Sequence, residues 1–394
     1  MRARSSITLS YGLTGELNAL WGAALPATDA RLDLGAGRLG GLLTALAVGA
    51  LVAMPFAGRV ADRWTAQRAL RLLLPAAAIA VIGPAVAPTF ALLTVATVVL
   101  GILFGALNVT LSMQAVAVER AAGRPIMSTV HGVWTLGAVA GGLAISGGLH
   151  AGADVGLLMS GGALALATVA VVSCRAAETP RDDGELPVAD LPPGPARPGV
   201  VVLLGVIGAA SFVAEGAAVD WAGVHGTRVL DADPGTASLA YTVFFIAMTA
   251  VRLAGDAVRA RLGAAITVRS AGCAATAGYG LVLLAGVLPD FAGTGRIGCA
   301  FAGWALVGAG IATVWPIVTS ALGAARRASG RISTVTMISY GGGLVGPALI
   351  GALSTAVGLP AALLLPAVLT LAVAAVGPAV LGALALETPS VTSS

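Results

Sequence analysis

Lysine is absent from these 394 residues, and charge of either sign is scarce: 10% of residues are charged against 57% hydrophobic. A water-soluble domain carries about 25% charged residues, so a soluble globular chain is excluded at the outset. Cysteine is limited to Cys174, Cys273 and Cys299, which fall singly. That spacing excludes a disulfide framework, a zinc knuckle or a redox pair, and the three read as small apolar packing residues. The histidines His131, His150 and His225 are scattered, and no Ser/His/Asp set or phosphate-cradling glycine loop accompanies them. Hydrolysis of ATP is excluded on that ground, no enzyme activity is expected, and no cofactor or metal is called for. The net charge of +4 comes from arginines divided among short segments, which excludes a nucleic-acid partner and points to membrane topology. No cleavable leader is evident: the basic head Met1-Arg-Ala-Arg runs into an apolar stretch that contains Glu16 and ends at Pro26 without a small-residue cleavage site.

What the chain has in abundance is long apolar runs. Twelve are counted, over residues 7–26, 39–57, 72–86, 90–116, 129–149, 155–173, 200–221, 237–251, 266–288, 297–322, 332–356 and 360–384. Their length matches the ~20 residues a helix needs to cross about 30 Å of hydrocarbon. An all-α polytopic membrane protein embedded in a lipid bilayer is therefore expected. If the twelve runs alternate in direction, 18 of the 22 arginines fall on one side and only Arg31, Arg38, Arg228 and Arg296 on the other. The positive-inside rule then places both termini in the cytoplasm.

Residues 175–198 hold six of the 20 prolines and eight of the 40 charged residues, which reads as a cytoplasmic linker. It divides the chain into 1–174 and 199–394, six runs each. A weak internal repeat follows the same division: Glu16 and Trp21 have counterparts in Glu215 and Trp221, and Gly58-x-x-x-Asp62-Arg63 has one in Arg252-x-x-Gly255-Asp256-x-x-Arg259. Glycine numbers 54, which is costly to helices in water but permits close backbone approach in membranes. Gly137-x-x-x-Gly141-Gly142 and Gly342-x-x-x-Gly346-Pro347-x-x-x-Gly351 are read first as tight helix seams.

The charged stretch from Gly58 to Arg68 resembles the loop between the second and third helices of the major facilitator superfamily of transporters. With twelve runs and a charged central linker, the resemblance covers the whole chain. Gly105-Ala-Leu-Asn108 through Gln114 to Glu119-Arg120, then Arg124 to His131, together with Glu215-Gly-Ala-Ala-Val-Asp220-Trp221, is similar to a bacterial inner-membrane branch near the fucose-permease-like sugar transporters. Ala24 stands where members of that branch often place an arginine, and Trp64 where glycine is usual. The resemblance implies two six-helix bundles that rock about a central site in the bacterial inner membrane. It also implies that Gly58, Asp62, Arg63, Arg252, Gly255, Asp256 and Arg259 form loop latches that hold the cytoplasmic side shut. Membrane anchoring alone accounts for the arginines but not for the aspartates.

Glu16 falls near the middle of its run, where a charge costs about 2.5–3.5 kcal/mol. It is a candidate proton-coupling group, the alternative being a hydrogen bond to Asn18 or Asn108. Glu215 is the candidate in the other half. Asp220 lies near the end of the predicted run, where a solvated helix end is the alternative. For substrate, Asn18, Asn108, Ser112 and Gln114 offer hydroxyl and amide groups; Asn108 and Ser112 are i and i+4, on one helix face. Helix-to-helix hydrogen bonds would use the same groups equally well. His131 and Trp134, one turn apart, and Tyr241, Trp304, Trp315 and Tyr340 are candidates to line a cavity; interfacial anchoring is the other role of such side chains. The expected function is a proton-coupled secondary transporter of a small organic solute, acting as a monomer. A drug or metabolite exporter of the same fold and a transport-inactive membrane sensor are the competing readings.

Overall fold

The computed structural model describes residues 3–122, 126–175, 198–289, 294–324 and 329–386; side chains at a few positions within these, among them 58–64, 255–257, 322–334 and 340, are not described. All regular structure in the described residues is helical. The first half runs α1 (Ala3–Gly22), α2 (Leu25–Leu32), α3 (Gly35–Trp64), α4 (Ala66–Ala80), α5 (Ile82–Val86), α6 (Phe90–Ala122), α7 (Met127–His150) and α8 (Val155–Arg175). The second runs α9 (Pro198–Val229), α10 (Pro234–Val287), α11 (Thr294–Ile311), α12 (Val314–Ala324), α13 (Ser329–Val357), α14 (Leu359–Ala362) and α15 (Leu364–Leu386). The predicted linker falls almost wholly outside the described residues.

Eleven stretches are long and apolar enough to cross a membrane. The twelfth pass is α1, whose hydropathy is lowered by Arg4, Ser10, Thr14, Glu16 and Asn18; it sits inside its bundle against α6, α7 and α8. Twelve transmembrane helices in two six-helix bundles is therefore the fold. The bundles meet along α7 with α10 and α3 with α13, and α2 bridges to α9 and α10. Large apolar side chains such as Leu157, Leu253 and Val287 remain exposed, as a lipid-facing belt requires.

Proline sets the breaks within passes. A proline lacks the N–H that would bond the carbonyl four residues earlier, and its ring crowds that carbonyl. Pro26, Pro84, Pro316 and Pro366 thus each leave a carbonyl without its helical partner, at Gly22, Ala80, Ala312 and Ala362, and α1, α4, α11 and α14 end at or beside those residues. Pro55, Pro75, Pro347 and Pro378 stand inside unbroken helices, so the missing bond permits a break without compelling one.

The two expected charged loops are tighter than the sequence suggests. α3 continues through Asp62 and Arg63 to Trp64, and the chain reverses at Thr65 alone (φ 71°, ψ 140°). In the second half α10 continues through Arg252, Gly255, Asp256 and Arg259, and the reversal is Gly263 alone (φ 78°, ψ 162°). The charges therefore ride on helix ends, and one residue of positive φ makes each turn. Asp220 is likewise not at a helix end: α9 runs past Trp221 to Val229, because Ala222 to Val229 is apolar and helix-compatible despite its His and Arg.

Candidate functional site

The glycine seams bring backbone against backbone beside the two membrane carboxylates. A side chain at Gly137 or Gly141 of α7 would collide with α1 at Gly12, Glu16 and Ala19. In the other bundle one at Gly342 or Gly346 of α13 would strike Ala209 and Val213 of α9, one to two turns before Glu215. The neighbouring Gly142 and Gly351 face the opposite bundle, against Tyr241 and Thr242 and against Gly40. Each helix thus uses one glycine row within its bundle and another glycine between bundles.

Every hydrogen bond and ion pair between the bundles, among the described residues, lies at one end of the molecule. Asp29 of α2, 2% exposed, accepts from Arg228 Nε at 2.6 Å and from Nη2 at 2.8 Å. The Gly35 N–H donates to the same carboxylate at 3.1 Å, and Asp33 stands 3.7 Å from the Arg228 guanidinium. Beneath this pair Ser238 donates to the Ala23 carbonyl at 2.7 Å, Ser146 donates to the Gly235 carbonyl at 2.7 Å, and His150 meets Thr236 at 3.3 Å. Pro26 occupies the space that a side chain at Gly223 would need. This sealed end was not predicted. A signal was nevertheless present, because all four arginines on the arginine-poor side have structural partners. Arg31 donates to the Ala85 carbonyl and to Pro84 O at 3.0 Å, Arg38 lies 5.5 Å over the Phe90 ring, Arg228 holds Asp29, and Arg296 donates to Val229 O at 2.9 Å.

Moving away from the seal, Tyr241 (1% exposed) stacks on Phe245 at 4.7 Å between ring centroids, and Phe245 meets Trp134 of the other bundle edge-on at 5.7 Å. This aromatic layer lies between the seal and a level of charged groups. There Arg252 lies in electrostatic reach of Glu215 in its own bundle and of His131 in the other, without an ion pair. His131 is accessible and sets its ring edge-on to Tyr11 at 5.3 Å. A rise of 1.5 Å per residue puts Glu16 and Glu215 about 10–12 Å below Ala23 and Gly223, where the bundles touch. Both are half-buried, and neither has a hydrogen-bond or ion-pair partner among the described residues. Asp220, also half-buried, stands nearer the seal within electrostatic reach of Tyr241.

The remaining candidates divide. Asn18 donates to Thr14 O at 3.0 Å and Asn108 to Phe104 O at 3.0 Å, so both amides bond their own helices and neither holds Glu16. Ser112 is exposed and donates to Asn108 O at 2.9 Å, while Gln114 is buried in α6. Trp304 stands apart, wholly buried within the second bundle between Tyr279 and His225. Arg252 belongs to the membrane level of α10 and faces Glu215 and His131, while Arg259 lies two turns further along. The side chains of Gly58, Asp62, Arg63, Gly255, Asp256 and Tyr340 lie outside the described residues.

No family model matches the chain. An uncharacterized MFS-type transporter of Yersinia pestis is 31% identical over 91% of this chain and 92% of its own. An uncharacterized transporter of Sinorhizobium fredii is 29% identical, covering 89% and 90%, and the membrane protein MosC of Rhizobium meliloti is 28% identical, covering 91% and 86%. Among solved structures, the nucleoside transporter NupG superposes with a TM-score of 0.66 at 15% identity, covering 96% of this chain and 99% of its own. A bacterial homologue of the human lysosomal transporter Spinster, in an inward-facing and occupied conformation, gives 0.68 at 15% identity, covering 98% and 96%. With twelve membrane helices in two bundles and a relative of this similarity over nearly its full length, the chain belongs to the major facilitator superfamily of membrane transporters.

Proposed function

We propose that this transporter moves a small polar organic solute by alternating access, coupled to protons, as a monomer in a bacterial inner membrane. The observation that carries the reading is the pair Glu16 and Glu215: one per bundle, half-buried inside membrane helices, about 10–12 Å below a sealed end, and without a committed partner. A carboxylate that only stabilised the fold would be tied to a cation or a donor at that depth. One left untied is available to exchange a proton with water arriving from either side in turn. Arg252 is assigned as the cation that senses the charge on Glu215, with His131 on the facing bundle. Asp220 is the third proton candidate, and Trp134 and Tyr241 line the solute's path.

The arginine distribution supports an external position for the sealed end and cytoplasmic termini, so this conformation faces inward. The helix ends carrying Asp62 and Arg63, and Asp256 and Arg259, then form the opposing cytoplasmic latch. Residues 1–174 and 199–394 are the two moving bodies, joined by 175–198. The branch near the fucose-permease-like transporters, suggested by the Asn108 to Arg120 stretch, is the finer family placement.

Flux in proteoliposomes, read with an internal pH dye against a panel of small solutes, tests this. The expected result is solute-dependent proton movement that is lost in Glu16→Gln or Glu215→Gln. Coupled flux that survives both substitutions together would remove these residues from the mechanism. A chain that shows no solute-driven flux with any member of the panel would favour a sensor.

A further inference from the structure

Two hydroxyls at the contact between the bundles are buried without a hydrogen-bond partner: Tyr241 OH and Thr242 Oγ1, both on α10. Both residues are 1% exposed. They lie where α10 crosses α1 and α7, since a side chain at Gly22 would meet the Tyr241 ring and one at Gly142 would meet both Tyr241 and Thr242. Trp21, beside Gly22, leaves its Nε1 unpartnered as well. Hydroxyls elsewhere on the same helix bond back to the preceding turn: Ser238 to Pro234 O, Thr249 to Phe245 O and Thr276 to Gly272 O. The exceptions therefore coincide with the surface that the opposite bundle covers. A donor closed off from water and given nothing in return raises the free energy of the state that buries it.

We propose that the sealed end is a sprung closure. The Asp29–Arg228 pair and the two serine-to-carbonyl bonds hold it shut, while Tyr241 and Thr242 oppose them and regain water when the bundles part. The opposition keeps the two states close in free energy, as a surface that must open in every cycle requires. The inference rests on the alternating-access reading. It assigns Tyr241 and Thr242 a conformational role separate from any contact with solute.

Spin labels at Ala30→Cys and Asp231→Cys, both exposed positions beside the seal on opposite bundles, report its opening when Cys174, Cys273 and Cys299 are replaced by serine. Distance distributions would be measured by pulsed electron resonance in nanodiscs. Arg228→Ala is expected to add a longer-distance population. Adding Tyr241→Phe or Thr242→Val to that variant should lower the ratio of long to short distances by about fivefold or more, because the open state no longer recovers a hydrated hydroxyl. Should Tyr241→Phe fail to fold, Thr242→Val alone decides. An Arg228→Ala chain that opens but whose ratio is unchanged or raised by both additions overturns the sprung closure and leaves alternating access standing. An Arg228→Ala chain with no longer-distance population at all removes the hinge reading of this end together with the proposal.

Discussion

The first pass of the first bundle and the first pass of the second start alike and end differently. In α1, Glu16 is followed by Trp21 and Gly22, and the helix stops; in α9, Glu215 is followed by Trp221 and the helix continues to Val229. The difference is Pro26, which leaves Gly22 without a helical donor and lets α2 start in a new direction. The redirected α2 carries Asp29, and the uninterrupted α9 carries Arg228 two turns beyond Trp221 to meet it. A repeat that was symmetric here would have no seal. Asymmetry between the halves is what the closure is made of.

The comparison is broken most severely by making the second helix like the first. Gly226→Pro should interrupt α9 at about 3 kcal/mol or more and withdraw Arg228 from Asp29. A lowered thermal midpoint with a longer Ala30-to-Asp231 label distance is the expected result, and an unchanged distance would detach the seal from helix continuity. Next, the two ends of the ion pair are unequal, since Asp29 is buried while the Arg228 side chain is 34% exposed. Arg228→Ala, which strands a buried carboxylate, should cost the sealed state about 2–3 kcal/mol, whereas Asp29→Asn, whose partner can reach water, should cost about 1 kcal/mol. Equal effects on the label distance ratio would contradict this burial argument.

The two reversals sharpen the comparison further. Thr65 and Gly263 hold the same positive-φ conformation, which suits glycine and strains a β-branched residue. Thr65→Gly should stabilise by about 1 kcal/mol and Gly263→Thr should destabilise by at least as much, measured by thermal unfolding. The smallest effect is expected at Asp233, whose carboxyl is held below the usual carboxylate range by hydrogen bonds from Thr236 at the start of α10. A depressed value means that its contribution is complete above the ordinary range and lost as pH falls through the folded value. The thermal midpoint of the parent should therefore drop relative to Asp233→Asn on acidification through roughly pH 4 to pH 3.

Much of the fold was legible in the sequence because each membrane pass must satisfy its own backbone bonds in hydrocarbon and so announces itself as an apolar run. Eleven passes are visible on that basis. The first was counted as well, although its Glu16 and Asn18 lower its hydropathy. Helix ends were less legible: Asp62, Arg63 and Asp256 were expected in loops, yet the helices run through them. Charges interrupt hydropathy without interrupting hydrogen bonding. The seal was the least visible, because Asp29 and Arg228 are 199 residues apart and each lies beyond a predicted run.

By itself the sequence determined the twelve-pass plan, the arginine asymmetry and the presence of one unusual carboxylate in each half, all of which are properties of local composition. Only the tertiary structure decided that Trp304 is enclosed within one bundle, that Arg252 faces Glu215 and His131, and that Asp29 meets Arg228 across the bundles. Those depend on which faces of distant helices come together, and glycine-to-backbone contacts such as Gly40 on Gly351 set that approach.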